Sequence, residues 1–242
     1  MAQRIIDLSM TVHDDMKVFP RVVRPVTALY ETWEEFAARI GAAQYGAKSL
    51  TATYVITQGD HVGTHMDAMK HIVKDAPGPE GIPLEYCFGD GVILDFRDKP
   101  AGHFITVDDI KEALAKIQYT IKPLDIVLIH TGDGDGGKNE TDAYFTEHCG
   151  MTAEATVYLI EQGVKVFGID APTFDAPVKT MFETRKFWQA HLVMNTHEYY
   201  HLENMMNLDQ IGRSYGFKLS VFPIKWKGTT AAPVRAVAII EE

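Results

Sequence analysis

The sequence predicts an α/β fold around a mixed sheet, and three observations predict it. Apolar runs rich in β-branched residues recur at 4–8, 50–57, 91–96, 125–130, 165–170, 218–224 and 233–240, which is the composition of strands, several of them buried on both faces. After residue 90 these runs alternate with helical patterns, as in strand–helix–strand units. The strands before residue 90 come without matching helices, so the sheet is expected to be mixed. No linker, low-complexity tract or internal repeat divides the chain, although DAPGPEGIP at 75–83 is a turn-rich loop, and residues 1–242 are expected to form a single domain.

The helices follow from their caps. The first is placed at 32–43, with Thr32 as N-cap and Glu34 and Glu35 in the opening turn, where the helix dipole favours acids. The second opens at Thr106, whose hydroxyl can cap VDDIKEALAKI, and Ile110, Leu114 and Ile117 fall on one face of it. The third runs from Thr152 through AEATVYLIEQ and ends at Gly163, a residue suited to the left-handed position after a helix.

Composition narrows the function. With 242 residues, 46% hydrophobic, the chain can fill a sizeable core without disulfide staples. Its 23 Lys and Arg against 33 Asp and Glu leave a formal charge of −10 with no basic cluster, which argues against nucleic acid or an anionic membrane as partner. Cys87 and Cys149 stand apart with no C-x-x-C, so a thiol redox motif or a zinc ribbon is not expected. Asp7 interrupts the N-terminal apolar stretch and no run approaches the ~20 apolar residues of a membrane span, so a cytoplasmic location is expected.

Chemistry concentrates in GDHVGTHMDAMKH, residues 59–71, where His61, His65, Asp67 and His71 follow a predicted strand. Imidazole and carboxylate are ligands of zinc, manganese and iron. Neither regular element closes them on one ion. A helix puts Asp67 about 200° round from His65, and a strand spreads His61 and Asp67 over roughly 20 Å. The chain must curl between them, and Gly63 sits where a turn could take positive φ.

The pattern H-x-G-T-H-x-D-x-x-x-H resembles the signature of the cyclase-like metal-dependent amidohydrolases, the family of bacterial kynurenine formamidase and isatin hydrolase. The similarity extends to DLSMTVHDDMKVFP near the start, GIDAPTFD at 168–175, ENMMNLDQI at 203–211 and PVRAVAII near the end. It implies a swivelling β/β/α architecture and a divalent-metal hydrolase acting on amide or lactam carbonyls, with zinc or manganese as the metal. By the same resemblance, His61, His65 and Asp67 correspond to first-metal ligands and His71 to a proton-shuttling histidine, which would titrate near ~6.5 to do so. Asp67 would bridge to a second ion held by His191 and Glu203, with His197 and His201 as neighbouring alternatives to His191. A homodimer or homotetramer is implied too. The chain departs from the family pattern at Met69, where proline is usual, and in a longer segment at 30–49.

Other motifs carry less. GRSYG at 212–216 matches a nucleophile elbow on paper, but a strand follows it where one should precede, so Ser214 is expected in a loop. GDGDGG at 132–137 holds Asp133 and Asp135 where a dinucleotide's pyrophosphate would lie, so an acidic loop is expected. Of Trp33, Trp188 and Trp226, Trp33 is favoured as a lining of the substrate pocket. Asp170 and Asp175 are expected either to orient the second-site histidine or to cap a loop. The rival expectations are an ester or lactone hydrolase using the same chemistry, and a closed, non-catalytic metal-binding protein.

Overall fold

The computed structural model describes residues 2–241. Its strands are β1 (Gln3–Asp7), β2 (Val26–Glu31), β3 (Thr53–Thr57), β4 (His65–Asp67), β5 (Phe88–Asp95), β6 (Phe104–Ile105), β7 (Ile126–His130), β8 (Gly150–Met151), β9 (Val166–Ile169), β10 (Tyr200–Glu203), β11 (Phe217–Ser220), β12 (Ala231–Pro233) and β13 (Val237–Glu241). Its α-helices are α1 (Trp33–Arg39), α2 (Val107–Lys116), α3 (Ala143–Thr146), α4 (Ala153–Glu161), α5 (Val178–Thr184) and α6 (Gln189–Leu192).

Nine strands form one mixed sheet in the order β1-β13-β11-β5-β7-β9-β10-β4-β12. Its centre, β5-β7-β9-β10, is parallel, and both flanks are antiparallel. Strand alternation divides the interior in two. On one side Val92, Leu94, Val127, Ile129, Phe167 and Ile169 pack against Ile110 and Leu114 of α2 and Leu159 of α4. On the other, Ile93, Ile126, Leu128 and Val166 meet Leu219, Ala238 and Ile240 from strands of the same sheet, so the sheet curls around this second core. Gly168 in β9 is required by closeness: a Cβ there would stand 2.4 Å from Met205 Sδ and 2.6 Å from Leu128 Cδ2.

The capping expectations hold for α2, where Thr106 and Asp109 form a reciprocal capping box, and for α4, where the Thr152 hydroxyl accepts from Ala155 N–H and Gly163 adopts φ 95°. Four expectations change. The helix placed at 32–43 stops at Arg39, because Gly41 turns to φ 77° before a short 3-10 turn at Ala42–Tyr45. The strand at 50–57 begins at Thr53 and pairs only with β2, in an exposed ribbon outside the main sheet. The run at 233–240 is two strands at different places in the sheet, β12 beside β4 and β13 between β1 and β11; Pro233 ends β12 on an edge, where its missing N–H costs nothing. Finally, β4 and β10 are absent from the prediction, since HMD and YHLE are too short and too polar to stand out as apolar runs. These two strands position the site.

Candidate metal centre

Strands β4 and β10 lie antiparallel with His201 opposite Asp67 and Glu203 opposite His65. Side chains two apart on a strand share a face, so H-x-D on one strand looks at H-x-E on the other. His61 arrives from the preceding loop, which curls at Gly63 with φ 66°, as the spacing argument requires. His191 comes from α6, where Asp175 holds it: the carboxylate accepts from His191 Nδ1 at 2.5 Å and from the backbone N–H groups of Ala190 and His191 at 2.8 and 3.1 Å.

The Asp67 carboxylate, fully buried, is the centre of the cluster. Its Oδ1 stands 3.0 Å from His61 Nδ1 and 3.3 Å from His65 Nε2, and those two nitrogens are 3.2 Å apart. Its Oδ2 stands 3.3 Å from His201 Nε2, 3.5 Å from His191 Nε2 and 3.7 Å from His71 Nε2. Glu203 completes the second group, with Oε1 at 3.3 Å from His201 Nε2 and 3.5 Å from His191 Nε2, while its Oε2 lies 3.5 Å from His65 Nε2. Donor atoms arranged tetrahedrally about an ion at ~2.0–2.1 Å are about 3.3 Å apart. The His61–His65–Asp67 triad has separations of 3.0 to 3.3 Å, and Asp67 and Glu203 each stand 3.3 to 3.5 Å from His191 and His201, in a group whose donor atoms all lie within 4.8 Å of one another.

Protonation strengthens the case. His65 Nδ1 faces only the Gly63 carbonyl, at 2.8 Å, and must donate to it, which leaves Nε2 as the nitrogen that meets Asp67 through a proton or a cation; His191 is fixed the same way by Asp175. Acceptor atoms therefore face acceptor atoms unless a proton or a metal ion stands between them. Both Asp67 oxygens and both His201 ring nitrogens are buried without a hydrogen-bond partner among the described residues. In the protein alone a proton supplies part of the charge. Burial opposes protonation of His65, but Asp67 and Glu203 raise it to about 10. Burial pushes the Asp67 carboxyl up, and the surrounding imidazoles, His61 foremost, reverse this and hold it well below the usual carboxylate range. The donor set and its geometry fit a divalent ion in each group.

His71 differs from the expectation. It does not titrate near neutrality, because burial, with His61 and His191 adding to it against Asp67, lowers it to about 4. It lines a cavity of ≈ 220 Å³ together with His61, His191, Glu203 and an apolar wall that includes Phe19, Val22 and Trp188. Trp33 is not part of that lining; it stands 43% exposed at the start of α1, and Trp188 takes the place expected of it. Asp175 orients His191 and Asp170 anchors a loop, accepting from the backbone N–H groups of Thr131, Gly132 and Gly134. The GDGDGG segment is that loop, with Asp133 held by Lys138 and Asp135 by His130. Ser214 lies in the loop before β11, as expected.

His191 and His201 are therefore not alternatives, because both join the cluster, while His197 turns aside to the Thr196 hydroxyl at 2.9 Å. The available signal was H-x-E at 201–203, a period-two pair that only a strand brings to one face.

Comparison with known proteins agrees with the fold. The Cyclase family model, described as "Putative cyclase", matches residues 6–176, more than half of the chain. The chain belongs to the cyclase family. Among solved structures it is similar to isatin hydrolase A from Labrenzia aggregata bound to benzyl benzoate, at 24% identity and TM-score 0.82 over 99% of this chain and 94% of that one. It is also similar to an isatin hydrolase bound to the product analogue thioisatinate, at 18% identity and TM-score 0.84 over 99% and 93%. It is similar as well to a predicted metal-dependent hydrolase from Bacillus stearothermophilus, at 21% identity and TM-score 0.73 over the whole of both chains. Among the described residues no helix is long and apolar enough to cross a membrane.

Proposed function

We propose that this protein is a divalent-metal-dependent hydrolase that cleaves a C–N bond of a small amide or lactam with water. The observation that carries the reading is the convergence of acceptor atoms on the Asp67 carboxylate beside a cavity. His61, His65 and Asp67 would hold one ion, and His191, His201, Glu203 and the second Asp67 oxygen another. An ion held there would polarise a carbonyl and lower the pKa of water from 15.7 toward ~7.

The chain's own groups do the rest. His71 is a weak base in the empty site, where burial and the neighbouring imidazoles lower it to about 4; 29% exposed at the cavity, it would take a proton at Nε2 only as negative charge develops beside it in the reaction, and would return it to the leaving nitrogen, whose departure as an anion is prohibitive. The wall of Phe19, Val22 and Trp188 excludes water from the carbon skeleton. A cavity of 150 Å³ holds benzene, so ≈ 220 Å³ admits a single ring bearing the reacting group. This opening beside the donors favours an enzyme over a closed metal-binding protein.

Elemental analysis, followed by hydrolysis of formamides, lactams, imides and lactones by the protein reconstituted with zinc or manganese, tests the reading. Amide or lactam turnover that disappears with a chelator and returns with the metal is expected. Turnover of lactones alone would transfer the function to ester chemistry, and bound metal with no turnover of any class would sink the hydrolase.

A further inference from the structure

His65 and His191 have a carbonyl and a carboxylate bonded to the ring nitrogen that points away from Asp67, but on that side His61 has only a hydroxyl within hydrogen-bond distance, with the Asp60 carboxylate 3.9 Å away. His61 Nε2 lies 2.9 Å from the hydroxyl of Thr230, a residue of the loop that leads into β12 and stands 169 positions away in sequence. That hydroxyl is in turn 2.8 Å from Asp60 Oδ2. A hydroxyl accepts as readily as it donates, so on its own it leaves the imidazole tautomer undecided.

Asp60 decides it. The same Oδ2 accepts the backbone N–H groups of Thr230 at 2.9 Å and Ala231 at 3.2 Å. An oxygen receiving two N–H bonds has no room to present a proton of its own, so the proton between Oγ1 and Oδ2 belongs to threonine. With its single proton committed to Asp60, Thr230 Oγ1 can only accept from His61. Nε2 of His61 must then carry hydrogen, which makes Nδ1, facing Asp67 Oδ1 at 3.0 Å and His65 Nε2 at 3.2 Å, the only ring nitrogen that can offer a lone pair to a cation.

We propose that Thr230, backed by Asp60, is a positioning residue that fixes the tautomer and orientation of His61 so that Nδ1 faces the Asp67 carboxylate. The consequence for metal affinity rests on the ligand role given to His61 above, whereas the tautomer does not. The chain is also held here from the far side: Ala68 N–H donates to the Thr230 carbonyl at 3.0 Å, so the loop that directs His61 is tied to the strand that carries Asp67.

The test uses the full chain with 15N-labelled histidine and compares wild type, Thr230→Val and Thr230→Ser. Valine keeps the shape and the backbone N–H to Asp60 but has no acceptor, and serine restores the hydroxyl alone. Ring-nitrogen NMR of the metal-free protein, read at a pH where the His61 ring is neutral, is expected to show the proton at Nε2 in wild type and Thr230→Ser, and a mixture of tautomers in Thr230→Val. Zn²⁺ titrated against a competing chelator is expected to bind Thr230→Val about 10- to 100-fold more weakly, the usual cost of losing such a partner, with Thr230→Ser close to wild type. An unchanged His61 tautomer in Thr230→Val overturns the proposal, as does measurable Zn²⁺ binding of equal affinity in all three proteins. If the tautomer responds as expected and wild type binds no Zn²⁺, the tautomer lock stands and the metal-dependent hydrolase falls.

Discussion

The two halves of the donor cluster are built differently. His61, His65, Asp67 and His71 come from one eleven-residue stretch and owe their convergence to a local curl at Gly63. His191, His201 and Glu203 come from a helix and a strand more than a hundred residues downstream. They meet the first half only because β10 pairs with β4 in the register that sets His201 opposite Asp67 and Glu203 opposite His65. A site of this kind carries a local recognition element that any chain segment can display and an assembled element that exists only in the folded sheet. Asp67 belongs to both, since one of its oxygens faces each half.

Asp67→Ala offers the strongest contrast between the halves. Loss of the carboxylate shared by both groups should abolish both metal occupancy and turnover, whereas His201→Ala, which touches only the assembled half, should lose one equivalent of metal and keep the other. Metal analysis by mass spectrometry decides it; equal losses in the two variants would mean that the halves do not bind separately. His71→Ala comes next. It belongs to the local stretch but faces the cavity, so metal content should be retained while kcat falls about 10²- to 10⁴-fold on amides, with a smaller fall on activated esters. Loss of metal on that substitution would make His71 a ligand and remove its proton-transfer role.

Acidity separates the halves less sharply. In the metal-free chain His65 sits at about 10, and its proton must leave before Nε2 can bind a cation. Apparent metal affinity should therefore rise with pH below that value, about tenfold per unit for each proton displaced, and fall as the solution is acidified. A flat affinity profile across the neutral range would show that His65 is not a ligand. The smallest effect concerns the cavity wall. Trp188→Leu should weaken aryl amides against alkyl amides of equal size about 2- to 12-fold, the value of an aromatic contact, and Trp33→Leu should leave that ratio unchanged; the reverse result would restore Trp33 to the pocket.

How far the site was legible follows from the same division. The histidine stretch announced itself because four potential ligands within eleven residues have no economical structural explanation. The downstream donors are single residues in ordinary surroundings. Glu203 and His191 follow from the resemblance, and His201 ranks beside His191 as a competitor because nothing in the sequence marks HLE as a strand. Thr230 lay beyond any such reading, since a threonine in a turn has no chemistry until a histidine stands beside it. Trp33 was favoured over Trp188 for its place in a long insertion, but the pocket is lined from the turn that precedes α6, where Trp188 takes φ 43°.

The sequence by itself determined what depends on neighbours along the chain: the caps of α2 and α4, the buried runs of β5, β7 and β9, and the curl at Gly63. These are local because a hydroxyl reaches an N–H three residues on and an apolar run needs only its own alternation. The tertiary structure alone decided the split of 233–240 into two strands, the exile of 50–57 to an exposed ribbon, the pairing of β4 with β10, and the contact of Thr230 with His61. Each of those is a choice of partner, and partners are fixed by which surfaces the whole chain can bury at once. The tautomers of the histidines belong to the second kind as well, because a ring proton goes to whichever acceptor the folded chain sets against it.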